Sequence, residues 1–245
     1  ERKGPVFLEI PIDIQAKEID KKIIYRSKKN KKKEFVISKK IKRKLIRLLE
    51  NSNRISLLLG SGISKKFFLK SKRLITRTNY ALFTTWNAAD LLAENVKNNF
   101  GRPNTWGQRY SNILIQNSDL LICIGTSLGI QQTGFNYKSF VKNGKIINVD
   151  IDIAQLNKKN PKTHLRIQAD ADNFLKTLIG LTNKKIITKN NQWVKKCKKI
   201  KALIPAYEKE SNKNRSNYVS PYEFYIKISQ LMGSNDNICP CSSGG

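Results

Sequence analysis

Apolar residues form five short runs in the middle of this chain, and polar or amphipathic segments separate them. The runs cover residues 55–59, 81–86, 120–125, 145–150 and 164–168. A strand that is covered on both faces has a nearly continuous apolar sequence, as these runs do. We therefore predict five buried β-strands.

The segments around these runs carry helical signals. Residues 37–50 are amphipathic, because Ile41 and Leu45 recur at helical spacing with lysine and arginine between them. Asn87 is followed three positions later by Asp90, which is the spacing of a capping box. Further helices are predicted after the glycines at 60–62, up to Gln116, after Asp152, and over 171–181 and 191–203.

Strands and helices alternate from about residue 37 to residue 182. Such alternation requires right-handed crossover connections, which make the strands parallel to one another. The predicted fold class is therefore α/β, with an open, doubly wound, Rossmann-like parallel sheet.

Both ends of the chain lie outside this predicted sheet. Residues 1–15 have the pattern of a buried strand, and we predict that they are the last strand of a preceding domain. Residues 16–36 and 183–219 are basic connectors. Ser220-Pro221-Tyr222-Glu223 is a strong helix start, so residues 220–245 are predicted to open a following domain. We expect the chain to be a segment of a longer protein.

Glycine and polar residues follow four of the predicted strands. The groups are Gly60-Ser61-Gly62, Thr84-Thr85-Trp86-Asn87, Gly125-Thr126-Ser127 and Asp150-Ile151-Asp152. Open parallel sheets bind ligands at the carboxyl ends of their strands, so these groups should gather along one edge. Because glycine lets the backbone approach a phosphate closely, the pattern predicts a nucleotide-like ligand.

These glycines do not form a standard dinucleotide fingerprint. Lys65 occupies the position of the third glycine, and no acidic residue follows at a distance of ~20 residues to hold a ribose. A structural interpretation therefore stays open for each group. Gly60 and Gly62 could form only a tight turn, and Asp152 could only cap a helix, with Gln155 completing the capping box.

Other residue types indicate packing rather than chemistry. Cys123 lies within an apolar run and is predicted to be a core residue, whereas Cys239 and Cys241 are too few for a metal site. His164, the single histidine, has no acid or nucleophile beside it, so we predict a structural role. The tryptophans are also interpreted as packing residues: Trp86, Trp106 and Trp193.

The net charge of +29 admits two interpretations. A nucleic-acid-binding protein would be this basic, and residues 26–33 form a dense basic run. However, the excess is lysine accompanied by asparagine and isoleucine, which an AT-rich genome favours, and it is spread over helix faces. We prefer the second interpretation and expect no nucleic-acid partner. No apolar run approaches the ~18 residues of a membrane span, so we expect no membrane partner. The four cysteines show no disulfide or zinc pattern, so a reducing cytoplasm is the expected location.

The order of several motifs resembles that of thiamine diphosphate-dependent enzymes of the acetolactate synthase type, especially those associated with surface polysaccharide synthesis. The motifs are Gly4-Pro5-Val6-Phe7-Leu8-Glu9-Ile10-Pro11, Gly60-Ser61-Gly62, Phe100-Gly101-Arg102, the run from Gln116 to Gly125, Thr133-Gly134 and Val149-Asp150-Ile151-Asp152. Each motif is unspecific by itself, but their order and spacing are specific.

This resemblance implies three α/β domains, of which residues 37–182 would be the central one. In flavin-containing members the central domain binds FAD along the strand ends. The resemblance thus implies FAD contacts, from the flavin nucleotide to the adenosine, at Gly60, Ser61, Gly62, Thr85, Asn87, Gly125, Thr126, Asp150 and Asp152. Ser242 and Ser243 match the turn that approaches the diphosphate of thiamine.

The resemblance further implies that the full-length protein uses thiamine diphosphate and Mg²⁺ to cleave or join 2-oxo acids. A homo-oligomer, dimer or tetramer, is expected, and no catalytic residue is expected within this segment. Ser127 and Gln131 stand where the family has arginines, which weakens the prediction of FAD binding. The alternative is a domain of the same fold that binds no nucleotide and only assembles its neighbours.

Overall fold

The computed structural model describes most of the chain. It covers residues 7–18, 35–205, 207–208, 210–212, 217–233 and 236. The predicted sites at Ser242 and Ser243, and the pair Cys239 and Cys241, lie outside these ranges. Within them, no helix combines the length and the apolar composition that a bilayer crossing requires.

Five parallel strands form one sheet in the described part of the chain, as predicted. The strands are β1 (Ile55–Leu59), β2 (Ala81–Thr84), β3 (Leu120–Ile124), β4 (Lys145–Asp150) and β5 (Leu165–Gln168). Their spatial order is β2-β1-β3-β4-β5. The chain thus runs outwards from β1 to β2 and then crosses back to β3, which makes the β1/β3 boundary the switch point of the sheet.

Strands β1, β2, β3 and β4 are buried, apart from Lys145, because helices cover both faces of the sheet. The edge strand β5 alternates instead, with Arg166 and Gln168 exposed, so the prediction of a buried fifth strand was wrong. The helices are α1 (Ile12–Gln15), α2 (Lys39–Glu50), α3 (Lys65–Arg77), α4 (Arg109–Gln116), α5 (Ile130–Thr133), α6 (Ile153–Leu156), α7 (Ala171–Leu181), α8 (Lys184–Leu203) and α9 (Pro221–Leu231). Alternate side chains of β1 point to opposite faces: Leu57 and Leu59 pack with α2, α3 and α7, whereas Leu58 packs with α4 and α8.

Serine, aspartate and asparagine caps fix where several helices begin. Ser38 caps α2, Asp170 caps α7, and Asn183 caps α8; each side chain accepts a hydrogen bond from a backbone N–H three residues later. Ser220 caps α9 in the same way, with Pro221 as the first helical residue. The predicted helix start at residue 220 is therefore confirmed.

The prediction of a helix capped by Asn87 was wrong. The chain instead forms a short 3₁₀ helix over Trp86–Leu91, Thr85 occupies the capping position, and no side chain caps it. Ala88 leaves the helical region, with φ −124° and ψ 17°, and this kink stops a regular helix from growing. Asp90 pairs with Lys65 on α3 at 3.0 Å rather than closing a capping box.

Two further segments differ from the predictions. The predicted helix over 191–203 begins seven residues earlier, at Lys184, because Asn183 caps it and Ile186 packs into the core. At the other end of the chain, residues 7–11 form no strand, and Ile12–Gln15 form one helical turn with no buried residue. A strand needs a hydrogen-bonding neighbour, and none of the described strands lies beside this segment.

Helix α8 is part of the packed core, although its segment was predicted to be a connector. Trp193, Val194 and Cys197 lie with the β2, β1 and β3 side chains of one face. Trp193 donates a hydrogen bond from its indole nitrogen to the Ser56 hydroxyl at 3.2 Å, which confirms its packing role. Cys123 is buried in the same cluster, as predicted, and burial raises the pKa of its thiol well above the usual range.

A buried amide joins α8 to the sheet. Asn190 accepts a hydrogen bond from the Ile55 N–H at 2.7 Å, and its side-chain nitrogen donates to the carbonyls of Ile55 at 3.2 Å and Asn79 at 2.7 Å. Ile55 begins β1 and Asn79 precedes β2. This one side chain therefore satisfies the backbone groups where the two strands begin.

Replacement of this amide should destabilise the fold. We expect Asn190→Ala to lower the free energy of unfolding by about 2 kcal/mol or more, because it leaves buried backbone groups unpaired. Gln192→Ala, on the exposed side of the same helix, should change it by less than about 0.5 kcal/mol. Urea unfolding of both variants measures the difference. Equal stabilities for the two variants would contradict the role assigned to Asn190.

Candidate functional site

The turns that follow β1 and β3 are held against each other at the switch point of the sheet. The Gly60 N–H donates to the Ile124 carbonyl at 2.9 Å, and the Gly62 N–H donates to the Gly125 carbonyl at 3.0 Å. The Gly125 N–H in turn donates to the Val149 carbonyl of β4 at 2.8 Å. These bonds extend the parallel ladder beyond the strands and align three turns along one edge.

Only glycine fits at the centre of this contact. A Cβ atom on Gly60 would lie 2.1 Å from the Gly125 oxygen, and one on Gly62 would lie 2.7 Å from the Gly125 Cα. Gly125 itself has a φ of +63°, which disfavours any other residue. The glycines therefore form a tight turn, and the N–H groups of Gly60, Gly62 and Gly125 are used by the fold.

A polar cavity of about 170 Å³ opens beside the glycine contact, and we call it the switch-point cavity. It is lined by Ser61, Thr85, Trp86, Asn87, Asn104, Gly125, Thr126, Ser127, Gly129, Gln131 and Gln132. Among the described residues, neither the backbone N–H nor the hydroxyl of Ser61, Thr126 and Ser127 has a hydrogen-bond partner. The side chains of Thr85 and Asn87 are likewise free, so the cavity presents many unused polar groups.

A second cavity of about 310 Å³, the acidic cavity, lies on the β4 side of the same turns and shares Ser61 and Gly125 with the first. Asp150 and Asp170 line it. Asp150 accepts a hydrogen bond from the Asp152 N–H at 2.9 Å, and Asp170 accepts one from the Asn173 N–H at 3.0 Å. Each carboxylate keeps one oxygen without a partner among the described residues.

The structure brings most of the predicted site residues to these two cavities. Ser61, Thr85, Asn87, Gly125 and Thr126 line the switch-point cavity, and the acidic cavity adds Gly62 and Asp150.

Gly60 and Asp152 line neither cavity. The Asp152 carboxylate instead caps α6, where it accepts a hydrogen bond from the Ala154 N–H at 2.8 Å. Gln155 does not close the predicted capping box, because the Asp152 N–H is bonded to Asp150. The Gln155 side-chain oxygen is buried without a partner.

One cavity residue escaped the sequence analysis, and another, Ser127, was placed at a strand end but not predicted to contact a ligand. Ser127 lies beside the predicted Thr126, and its N–H and hydroxyl are likewise without a partner among the described residues. Asp170 follows β5 and caps α7, so it occupies the same kind of position as the residues after the other four strands. The strand-end rule, applied also to the fifth strand, would have identified it.

A larger groove, of about 770 Å³, continues from the switch-point cavity, with which it shares Trp86 and Asn104. We call it the aromatic groove, because Trp86, Trp106, Tyr207, Tyr222 and Tyr225 line it. The prediction that Trp86 and Trp106 are packing residues was wrong, since they are 44% and 70% exposed. Trp106 lies in a polar loop rather than on an apolar periodic face, and that position could have identified it, whereas Trp86 ends an apolar run and begins the 3₁₀ helix.

An open parallel sheet that is covered by helices on both faces defines an α/β domain of the Rossmann-like class. The sequence comparisons name its family. The family model described as "Thiamine pyrophosphate enzyme, central domain" matches residues 43–178. The chain belongs to the thiamine pyrophosphate enzyme family, and it contains a central domain of the acetolactate synthase-like type.

Acetolactate synthase large subunits are among its similar proteins. The chain is 31% identical over 183 residues to "Acetolactate synthase isozyme 1 large subunit" of Escherichia coli, a match that covers 74% of the chain and 31% of that protein. It is 30% identical over 197 residues to a "Probable acetolactate synthase large subunit" of Methanococcus aeolicus, covering 73% and 30%. A similar protein of Methanocaldococcus jannaschii is 26% identical, covering 96% of the chain and 40% of the relative. The chain thus spans about a third of these relatives.

The glycine contact gives a direct test of the site's construction. We expect Gly60→Ala to lower the free energy of unfolding by at least about 1–3 kcal/mol, because its Cβ would overlap the Gly125 carbonyl. Gly180→Ala on α7 is the control, since its Cβ would meet no atom within 4 Å. That variant should gain roughly 0.5–1 kcal/mol, because alanine favours a helix. A Gly60→Ala protein as stable as the parent would contradict the contact.

Proposed function

We propose that this chain is the nucleotide-binding part of a thiamine diphosphate-dependent enzyme that acts on 2-oxo acids, and that its nucleotide is FAD. The observation that carries the proposal is the row of unused hydrogen-bonding groups along the carboxyl ends of β1, β2, β3 and β4. We further propose that the full-length protein is a cytoplasmic homo-oligomer. The chain by itself is not expected to catalyse the reaction.

The chemistry of the two cavities fits the parts of a dinucleotide. The free N–H and hydroxyl groups of Ser61, Thr126 and Ser127 are donors, and they suit the oxygens of a diphosphate. The free carboxylate oxygens of Asp150 and Asp170 are acceptors, and they suit the hydroxyl groups of a ribose. Because the cavities share Ser61 and Gly125, one elongated ligand would occupy both.

Thiamine diphosphate and Mg²⁺ belong to the proposal through the family. Thiamine diphosphate would supply the cleavage and formation of the bond next to the oxo carbon of the substrate. Ser242 and Ser243, proposed to approach its diphosphate, lie outside the described residues. The described residues therefore contribute the FAD site and the framework that connects it to the neighbouring domains.

The second candidate function is a domain that binds no nucleotide and only assembles its neighbours. Two observations favour it. The N–H groups of Gly60, Gly62 and Gly125 are used by the sheet, and neither lysine nor arginine lines the two cavities. A diphosphate would therefore be bound by neutral donors alone, which is weaker than binding by charged groups.

Titration with FAD separates the two functions. We expect the purified chain to bind FAD, and Thr126→Val to weaken binding by roughly tenfold, because a hydrogen bond to a charged group is worth about 1.5–3 kcal/mol. Thr188→Val, on an exposed position of α8, is the matched control and should bind as the parent does. Flavin fluorescence and calorimetry measure the affinities.

The titration can also reject the proposal. If neither the parent chain nor the control binds FAD while both remain folded, the FAD proposal is wrong and the second candidate function is favoured. Binding that is insensitive to Thr126→Val would place the nucleotide elsewhere on the molecule.

A further inference from the structure

The aromatic groove has the size and lining of a small-molecule site. Its volume of about 770 Å³ lies within the range of roughly 300–1,000 Å³ that is typical of such sites. Trp86 and Trp106 lie in the chain segment that follows β2. Tyr207 stacks on Tyr222, with ring centroids 5.1 Å apart. These faces can stack on a planar ring.

The groove also contains a cation without a partner. Arg102 is partly buried, and its guanidinium forms no hydrogen bond or ion pair with any described residue. Arg109, by contrast, lines the same groove but is paired with Glu208. Arg102 lies close enough to Tyr110 to affect its hydroxyl group. The pKa of that hydroxyl is raised overall, mainly by burial and also by Glu94, and the positive charge of Arg102 opposes the rise. A guanidinium in such a place is suited to a carboxylate or phosphate.

The loop that carries Arg102 and Trp106 is held in place by its own hydrogen bonds. The Arg102 N–H donates to the Gln108 side chain at 2.7 Å, and the Trp106 N–H donates to the Asn104 side chain at 2.7 Å. The Thr105 N–H donates to the Gln131 carbonyl on α5 at 2.8 Å.

Gly107 lets this loop close on itself. A Cβ atom at Gly107 would lie 2.1 Å from the Arg102 carbonyl oxygen, so no larger residue fits there. The loop therefore fixes the backbone of Arg102 and Trp106, so that binding a ligand would require little ordering of the main chain.

We propose that the aromatic groove binds a small organic oxyanion with a planar ring, and that Arg102 holds its carboxylate or phosphate group. The ring lies against Trp86 and Trp106. This site extends beyond the proposed FAD site, because Arg102 and Trp106 lie outside both nucleotide cavities, whereas Trp86 is shared with the switch-point cavity.

Calorimetric titration of the chain without FAD tests the proposal. The probes are 2-naphthoate and 2-naphthyl phosphate, which separate the two anionic groups, and 2-naphthamide, the neutral counterpart of the carboxylate. We expect at least one anion to bind at least about tenfold more tightly than the amide, and Arg102→Gln to remove that preference. Arg73→Gln makes the same charge change on the exposed surface of α3 and should bind as the parent does.

Three results would overturn the inference. The first is that no probe binds, and the second is that the amide binds as tightly as both anions. The third is that Arg73→Gln weakens binding as much as Arg102→Gln does. The unfolding midpoints of both variants are measured as well, so that a loss of binding is interpreted only where the variant is folded. Failure here leaves the FAD titration unaffected, because the probes contain no nucleotide.

Discussion

The contact between the turns after β1 and β3 is the constraint on which the rest of this site depends. Gly60 and Gly62 press against Gly125, and their N–H groups continue the sheet ladder past the last strand residues. Because all three glycine N–H groups are consumed there, the donors left for a ligand are those of the adjacent residues. Ser61, Thr126 and Ser127 occupy these positions; all three line the switch-point cavity, and Ser61 also lines the acidic cavity. The tight turn therefore uses the glycine N–H groups and leaves the neighbouring polar groups available at the edge of the sheet.

A second consequence of the same constraint is the distribution of charge along the edge. Carboxylates lie on the β4 and β5 side, neutral hydroxyls lie at the switch point, and the unpaired Arg102 lies beyond β2 among aromatic rings. An elongated ligand in the two cavities meets acceptors at one end and donors at the other. The overall charge of +29 has little bearing on this edge, since neither cavity is lined by a basic residue. The lysines decorate helices such as α2 and α8 instead.

The central sheet could be predicted from the sequence because strands buried on both faces leave nearly continuous apolar runs, as in β1 and β3. The start of α9 could also be predicted, because a serine cap followed by a proline is a local signal, as at Ser220.

The kink at Ala88 could not be predicted, because the capping signal at Asn87 is local, whereas the Lys65–Asp90 pair that replaces it is a tertiary contact. The exposure of Trp86 could not be predicted either, because Trp86 ends the apolar run 81–86, which is typical of a buried strand. Among the site residues, strand-end position identified Thr126 and Asp150 but says nothing about which groups are already bonded.

Hydrogen exchange of backbone amides, with and without saturating FAD, tests the central claim most directly. The N–H groups of Ser61, Thr126 and Ser127 have no partner in the part of the chain that the structure describes, whereas those of Gly60, Gly62 and Gly125 are bonded. The account predicts fast exchange at the first three without ligand and marked slowing when FAD binds, with the glycine amides already slow. Unchanged exchange at Ser61, Thr126 and Ser127 in the presence of bound FAD would contradict it.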